Sequence, residues 1–374
     1  MTTVSSLHAR ADRLEVTWHD GDRSAYPWIW VRDHAHDVDT LHPVTQQRQL
    51  WTAGVDIDIT AGSARLVSEP QRVEISWTDG STSELPVTFL ARFRSPHSEP
   101  AHVESDCVLW DAASITPHPA ITHDEVMGSD DGLAAWLRLV ARYGFCVVTD
   151  TPPDAASTKA LLERVGYVRE TIFGGFWEFT ADLNKADTAY TTLELRPHTD
   201  GTYSHDAPGL QMLHCLDFDG EGGVSTMVDG FRIAIEMQRR CPEHFVVLSN
   251  VSIPGQYIGD GSHLIASRPV FRHDHTGKLV QVSFNNADRA PFLLPDDEML
   301  TVYAALQAFD LIANDLASQW RHVLRPGDAL LFDNWRVLHG RTSYSGYRRL
   351  CGGYLNHEDF ESRLRLANAS STPA

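Results

Sequence analysis

The chain has 374 residues, 42% hydrophobic and 22% charged, with a formal net charge of -19 from 50 acidic against 31 basic residues. That length suffices for two domains with a sizeable core, and the acidic balance argues against nucleic acid or an anionic membrane as partner, since both attract basic patches. No apolar run approaches the ~20 residues of a membrane span. The start, Met1-Thr2-Thr3-Val4-Ser5-Ser6, lacks the basic and apolar regions of a signal peptide. Five widely spaced cysteines, at 107, 146, 215, 241 and 351, fit a reducing cytoplasm better than a disulfide framework.

Residues 1–95 alternate short β-like runs with turns. Arg13–Trp18 precedes His19-Asp20-Gly21-Asp22, and Val73–Trp77 precedes Thr78-Asp79-Gly80-Ser81. Period-two alternation closed by Asp-Gly reads as hairpins. No internal repeat stands out. Arg94–Pro100, with two prolines and no periodicity, reads as a linker, dividing a β-rich domain at 1–95 from a second domain at 96–374. Asp131–Tyr143 has helical apolar spacing and stops at Gly144. Phe145–Val148 reads as a buried strand and Ala155–Val165 as a helix. From Tyr190 to Tyr354 short strands dominate, with helices near 230–240 and 297–316. The predicted class is mainly β with flanking helices, the second domain being a jelly roll. The last six residues are predicted to fray.

Within this region lies His198-Thr199-Asp200, answered far along the chain by His339. In a strand, residues two apart share a face, so the triplet delivers an imidazole and a carboxylate to one place. A second histidine completes a two-histidine, one-carboxylate set. Such a set covers one face of an iron(II) ion and leaves the other open, which is what an oxygenase needs.

The segments Pro208–Cys215, Val228–Phe231, Phe284–Ala287, Pro326–Asp328 and Phe332–Arg341, in that order, resemble the gamma-butyrobetaine and trimethyllysine hydroxylases. That family uses iron(II), 2-oxoglutarate and O2. Softer matches at Val31–His34 and Trp77–Gly80 extend the resemblance over nearly the whole chain. It implies a double-stranded β-helix carrying His198, Asp200 and His339 as metal ligands and catalytic centre. It also implies oxidative decarboxylation of 2-oxoglutarate coupled to hydroxylation of a substrate carbon. The family's N-terminal domain usually holds zinc, but the corresponding positions here read Ala35, Asp37, Thr40 and Ser81. Ala35 cannot ligate, so no structural zinc is expected, and His34, His36 and His42 are read as a surface turn. A homodimer is expected.

For the distal carboxylate of 2-oxoglutarate, a bidentate arginine is the natural partner. Arg348 lies six residues from Tyr354, which the resemblance places in the substrate pocket. An even step shares a face, so Arg348 is predicted to point inward and Arg349 outward. Ser225 matches the hydroxyl that helps hold this carboxylate, and Leu213 is expected to wall the pocket. The primary substrate is expected to carry a quaternary ammonium, which aromatic faces attract. Phe173, Trp177, Tyr190 and Tyr354 stand where the family builds its cage.

At the substrate's anionic end the pattern changes. Gly201 and Asp187 replace a tyrosine and an asparagine, Tyr203 is available as a substitute, Asn285 is retained, and Arg289 is a nearby cation. These changes favour 2-(trimethylammonio)ethylphosphonate hydroxylated beside its anionic end. A gamma-butyrobetaine hydroxylase, a non-catalytic sensor of 2-oxoglutarate or a betaine, and a jelly roll binding another metal remain as alternatives.

Overall fold

The computed structural model describes residues 3–94, 107–179, 191–259 and 261–370. The chain divides into two compact units, Met1–His102 and Val103–Ala374. The predicted boundary at 95/96 falls in residues 95–106, outside the described residues.

In the first unit, β1 (Val4–Ala9), β2 (Arg13–Trp18) and β3 (Arg23–Pro27) form a three-stranded antiparallel sheet and lead into α1 (Trp28–Asp33). β4 (Ala61–Ser68), β5 (Gln71–Trp77), β6 (Thr82–Pro86) and α2 (Val87–Ala91) repeat the arrangement. The two halves share a constant offset of 59 residues, as from Trp18 to Trp77. Leu14, Val16, Trp18, Tyr26, Trp28 and Val31 are buried in one half, and Val73, Ile75, Trp77, Leu85, Val87 and Leu90 at the same places in the other. Both indoles donate alike, Trp18 Nε1 to Ser24 Oγ at 2.8 Å and Trp77 Nε1 to Ser83 Oγ at 2.9 Å. Gly21 and Gly80 both turn with positive φ. The expectation of no internal repeat is thus overturned. Arg13, Glu15, Trp18, Asp20, Gly21, Ser24 and Pro27 recur as Arg72, Glu74, Trp77, Asp79, Gly80, Ser83 and Pro86, so the repetition is carried by identities as well as by the burial pattern. The histidines read as a surface turn are half-buried. His34 stacks on Trp30 with ring centroids 4.5 Å apart and His36 packs on Phe89, while Ala35 enters the core.

The second unit opens with β7 (Ala120–Thr122), α3 (His123–Gly128), α4 (Asp130–Tyr143), β8 (Phe145–Thr149), α5 (Ala155–Val165), β9 (Val168–Arg169) and β10 (Phe176–Phe179). α4 begins at the Ser129 cap and ends at Gly144 in the left-handed region, as its sequence predicts. Then follow β11 (Leu195–His198), β12 (Leu210–Gly222), β13 (Ser225–Asp229), α6 (Gly230–Arg240), α7 (Pro242–Asn250), β14 (Ile253–Gly259), β15 (Ser262–Arg268), β16 (Phe271–His273) and β17 (Leu279–Val282). The remainder is α8 (Asp296–Ala313), β18 (Gln319–His322), β19 (Ala329–Asp333), β20 (Val337–Arg341), β21 (Tyr344–Leu355) and α9 (His357–Ser370). Helices α1, α2, α3, α7 and α9 are additions to the sequence reading. The expected fraying therefore covers residues that α9 includes, and residues 371–374 lie outside the description.

The large sheet has the order β10-β21-β12-β19-β8-β7, with β9 pairing β21; the small sheet is β11-β20-β13-β18. Together they form the jelly roll. Alternation divides the large sheet's side chains between two environments. Leu210, Met212, Leu331, Cys146 and Val148 pack outward against α4, α5 and α9, while Cys215, Leu330, Phe332, Phe145 and Val147 join Met227 and Trp320 between the sheets.

Buried polar groups tie the strands together. The side chains of Arg336 and Asp229 are 3% and 0% exposed and form an ion pair at 2.8 Å. Arg336 also donates to the carbonyls of Val108 and Arg142. Removing one partner of such a pair strands the other charge. Arg336→Leu should therefore cost about 3–5 kcal/mol in urea unfolding. Arg349→Ala, which breaks only an exposed pair with Glu178, should leave the urea midpoint close to the wild-type value.

His214 gives a pH signature. Its Nδ1 lies 2.7 Å from the Thr158 hydroxyl, its Nε2 is buried without a partner, and burial pushes its pKa down to about 4. The folded value is below the unfolded one, about 6.5. Its contribution is thus fully present above the unfolded pKa and is lost as pH falls toward 4. The difference in unfolding free energy between wild type and His214→Gln should shrink by about 2 kcal/mol between pH 7 and 4.

Candidate active site

Strand β11 ends at His198, which pairs directly with His339 on β20. The register slips between Leu195, opposite Arg341, and His198. Without that extra residue His198 would face Leu338, whose side chain points the other way. The bulge falls at Pro197 on an edge strand, where a missing N–H is tolerated. The two imidazole rings lie 4.3 Å apart.

Asp200 is placed differently from the sequence expectation. The strand stops before it, so strand alternation does not bring it to His198. A turn does, held by Asn334. Asn334 Oδ1 accepts from the Asp200 N–H at 2.8 Å, and its Nδ2 donates to the carbonyls of Asp200 and Pro208 at 3.0 and 2.9 Å. Gly201 follows with φ of +72°, and a Cβ there would come 2.5 Å from Pro208. Backbone geometry requires the glycine, so its presence need not report on the substrate.

The donor atoms converge. His198 Nε2 lies 3.4 Å from Asp200 Oδ1 and His339 Nε2 3.7 Å from Asp200 Oδ2, all three ligand atoms falling within 4.8 Å of one another. Among the described residues this is the one such group of three. His198 Nδ1 is engaged by the Arg196 carbonyl at 2.8 Å, which leaves Nε2 to serve as ligand. The Tyr354 hydroxyl donates to Asp200 Oδ2 at 2.7 Å. Burial and the neighbouring His198 push His339 down to about 3. Burial opposes ionisation of Asp200, but His339, His198 and Tyr354 together hold its carboxyl well below the usual range. A neutral imidazole and an ionised carboxylate are the forms a metal takes, and two imidazoles with one carboxylate fit iron(II).

These groups open onto a cavity of about 400 Å³. Leu213, Ser225 and Arg348 all line it, as predicted for a 2-oxoglutarate site. Arg348 is 8% exposed, and no carboxylate lies within ion-pair distance of it among the described residues. Burial and Arg341 lower its pKa to about 10, so it stays cationic at neutral pH. Arg349 faces outward to Glu178. Arg341, absent from the sequence prediction, also lines the cavity, two residues beyond His339 on the same face.

The predicted substrate residues divide. Phe173, Tyr203, Tyr354 and Asn285 line the cavity. Trp177 does not; its indole lies over Gly352 and behind Phe179 and Tyr354, with ring centroids 4.3 and 5.8 Å away. Phe179, in the same strand and on the same face, lines the wall that Trp177 was expected to make. Arg289 does not line the main cavity either: it sits over the Tyr303 ring and lines a small neighbouring pocket with Phe284 and Asn285. Asp187 and Tyr190 lie outside the described residues. Phe284, Gln211 and Asp288 line the cavity without having been singled out. Aromatic and acidic residues of this kind carry no local motif and emerge only when β12, β17 and their loops converge.

Residues 112–354 match the family described as taurine catabolism dioxygenase TauD, TfdA family. The chain belongs to this family. It is 34% identical over 381 residues to a trimethyllysine dioxygenase of Meyerozyma guilliermondii, covering 97% of this chain and 95% of that protein. It is 30% identical over 370 residues to the gamma-butyrobetaine dioxygenase of Homo sapiens, covering 95% and 94%. Among solved structures it shares the fold of a Burkholderia xenovorans protein provisionally assigned as an alpha-ketoglutarate-dependent taurine dioxygenase. The TM-score is 0.50 at 13% identity, over 64% of this chain and 89% of that one. As a TauD/TfdA dioxygenase, the chain holds its iron(II) and 2-oxoglutarate requirements in one cavity.

Two variants separate these assignments. Asp200→Ala should abolish turnover together with the iron-to-2-oxoglutarate absorption band while leaving the melting profile folded. Arg348→Ala should raise the KM for 2-oxoglutarate at least ~30-fold, the ~2 kcal/mol or more expected when a charge-assisted bidentate contact is lost. Arg349→Ala should change it less than ~3-fold, and the reverse order would place the strand one residue out of register.

Proposed function

We propose that the protein is an iron(II)- and 2-oxoglutarate-dependent hydroxylase of a trimethylammonium amino acid, N6-trimethyl-L-lysine. The observation that carries this reading is the cavity itself. A two-histidine, one-carboxylate group, a buried arginine with no acidic partner among the described residues, and aromatic faces from Phe173, Tyr203 and Tyr354 share one space. The 34% identity to trimethyllysine dioxygenase across nearly the full length of both chains supports the choice of substrate.

Iron(II), when bound, supplies O2 activation coupled to oxidative decarboxylation of 2-oxoglutarate. The protein's own residues do the rest. His198, Asp200 and His339 hold the metal, and Tyr354 fixes the carboxylate that bridges the two imidazoles. Arg348 and Ser225 orient the co-substrate through its distal carboxylate. A quaternary ammonium has no N–H to donate, so Tyr203 and Phe173 attract it through their ring faces at about 0.5–2 kcal/mol each. Binding in this buried space sets which carbon meets the metal and keeps water away from it.

The sequence-based preference for a phosphonate substrate rested on the departures at Gly201 and Asp187, with Arg289 as a nearby cation; the Gly201 backbone requires its glycine and Arg289 does not line the main cavity, so two of these three no longer favour it. Succinate release measured with N6-trimethyl-L-lysine, gamma-butyrobetaine and 2-(trimethylammonio)ethylphosphonate decides among them. N6-trimethyl-L-lysine should lead by at least ~10-fold in kcat/KM, and the lead of either other compound would overturn the assignment. Tyr203→Leu should weaken the favoured substrate about 3- to 30-fold. An analogue with tert-butyl in place of trimethylammonium should be a poor substrate for the wild type.

A further inference from the structure

On the inner face of β12, Cys215 packs between the sheets while Leu213 and Gln211 line the main cavity. Gln211 is 3% exposed. Its Oε1 is buried with no hydrogen-bond partner, and its Nε2 donates to no group among the described residues. An amide taken out of water and left unpaired destabilises the fold. An apolar side chain of similar size would fill the same place without that penalty. The amide is therefore better matched to something that enters the cavity than to the protein around it.

The cross-strand neighbours of Gln211 fix where the amide stands. It pairs with Tyr354 on β21 and with Phe332 on β19. The Tyr354 hydroxyl donates to Asp200, and the Phe332 ring packs against His339 with centroids 4.8 Å apart. Both neighbours thus touch metal ligands, and Gln211 lies between them at the metal end of the large-sheet wall. Leu213 comes next along that wall, and Arg348 pairs farther along, opposite Phe218. 2-Oxoglutarate follows the same line, with its distal carboxylate at Arg348 and its keto acid at the metal group. A trimethylammonium group has neither an N–H nor an acceptor for an amide. The keto-acid carboxylate does have an acceptor oxygen, and hydrogen bonds to an ionised acceptor are the stronger kind.

We propose that Gln211 is a co-substrate-binding residue, its amide N–H donating to the keto-acid carboxylate of 2-oxoglutarate while Arg348 and Ser225 hold the distal carboxylate. The ligand supplies the partner that the fold withholds, so stability given up by the free protein returns as binding. The inference rests on the 2-oxoglutarate requirement and is independent of which primary substrate the enzyme hydroxylates.

The test titrates N-oxalylglycine, an unreactive analogue of 2-oxoglutarate that keeps both carboxylates, into zinc(II)-loaded protein by calorimetry, so that binding is read without turnover. Gln211→Leu should melt at or above the wild-type temperature, because it removes an unpaired buried amide. Its Kd for N-oxalylglycine should rise about 10- to 100-fold, the range of one hydrogen bond to a charged acceptor. In the iron-loaded enzyme the KM for 2-oxoglutarate should rise in step, while that for the primary substrate changes less than ~3-fold. An unchanged Kd in folded Gln211→Leu overturns the inference, as does an effect confined to the primary substrate. Should Gln211→Leu melt early, Gln211→Met decides by the same criteria, and early melting of both overturns the inference by making the amide a structural group. A wild type that fails to bind N-oxalylglycine removes the co-substrate placement at Arg348 together with this inference. Inactivity of the wild type on N6-trimethyl-L-lysine removes the substrate reading alone, and the Kd comparison still decides the role of Gln211.

Discussion

One extra residue in an edge strand organises the catalytic centre. Between Leu195 and His198 the pairing of β11 with β20 takes up three residues against two. This brings His198 opposite His339 instead of Leu338, which belongs to the hydrophobic packing on the other face. A one-residue slip reverses every side chain of a strand, so the iron site depends on that bulge more than on any single hydrogen bond. The surrounding anchors preserve the result. Asn334 fixes the turn carrying Asp200, and Arg336, two residues on, locks the approach to β20 against Asp229.

The cavity is divided electrically. At one end Arg341 and Arg348 are both buried, and each lies over the Tyr344 ring, 4.8 and 5.7 Å from its centroid. Neither draws a carboxylate within ion-pair distance among the described residues. Two uncompensated guanidinium groups in a low-dielectric space are costly, and a dicarboxylate co-substrate relieves that cost on binding. Asp288, Asp200 and the aromatic rings of Phe173, Tyr203 and Tyr354 line the same cavity.

The first unit shows what duplication leaves behind. Its halves keep the tryptophan that donates to a serine, the Asp-Gly turn and the alternating buried positions, while most other residues have diverged. Packing constrains volume and burial more tightly than identity, so the buried positions exchange Leu, Val, Ile and Tyr freely while the turn residues and the Trp–Ser pair stay identical.

The sequence by itself determined the local elements and the chemical alphabet. The spacing from Asp131 to Gly144 specified a helix and its stop, the Asp-Gly turns specified hairpins, and strand parity separated Arg348 from Arg349. His198, Asp200 and His339 were legible because metal chemistry restricts the choice of residue and the flanking motif is long. Tertiary structure decided what has no local signature. It set the bulge that aims His198, moved Asp200 from a strand into an Asn334-held turn, placed Trp177 behind the wall it was expected to form, and took Arg289 out of the main cavity. It also brought Phe179, Arg341 and Asp288 into that cavity. The physical reason is the same in each case: propensity and periodicity act over a few residues, whereas a cavity wall is fixed by packing among segments more than a hundred residues apart.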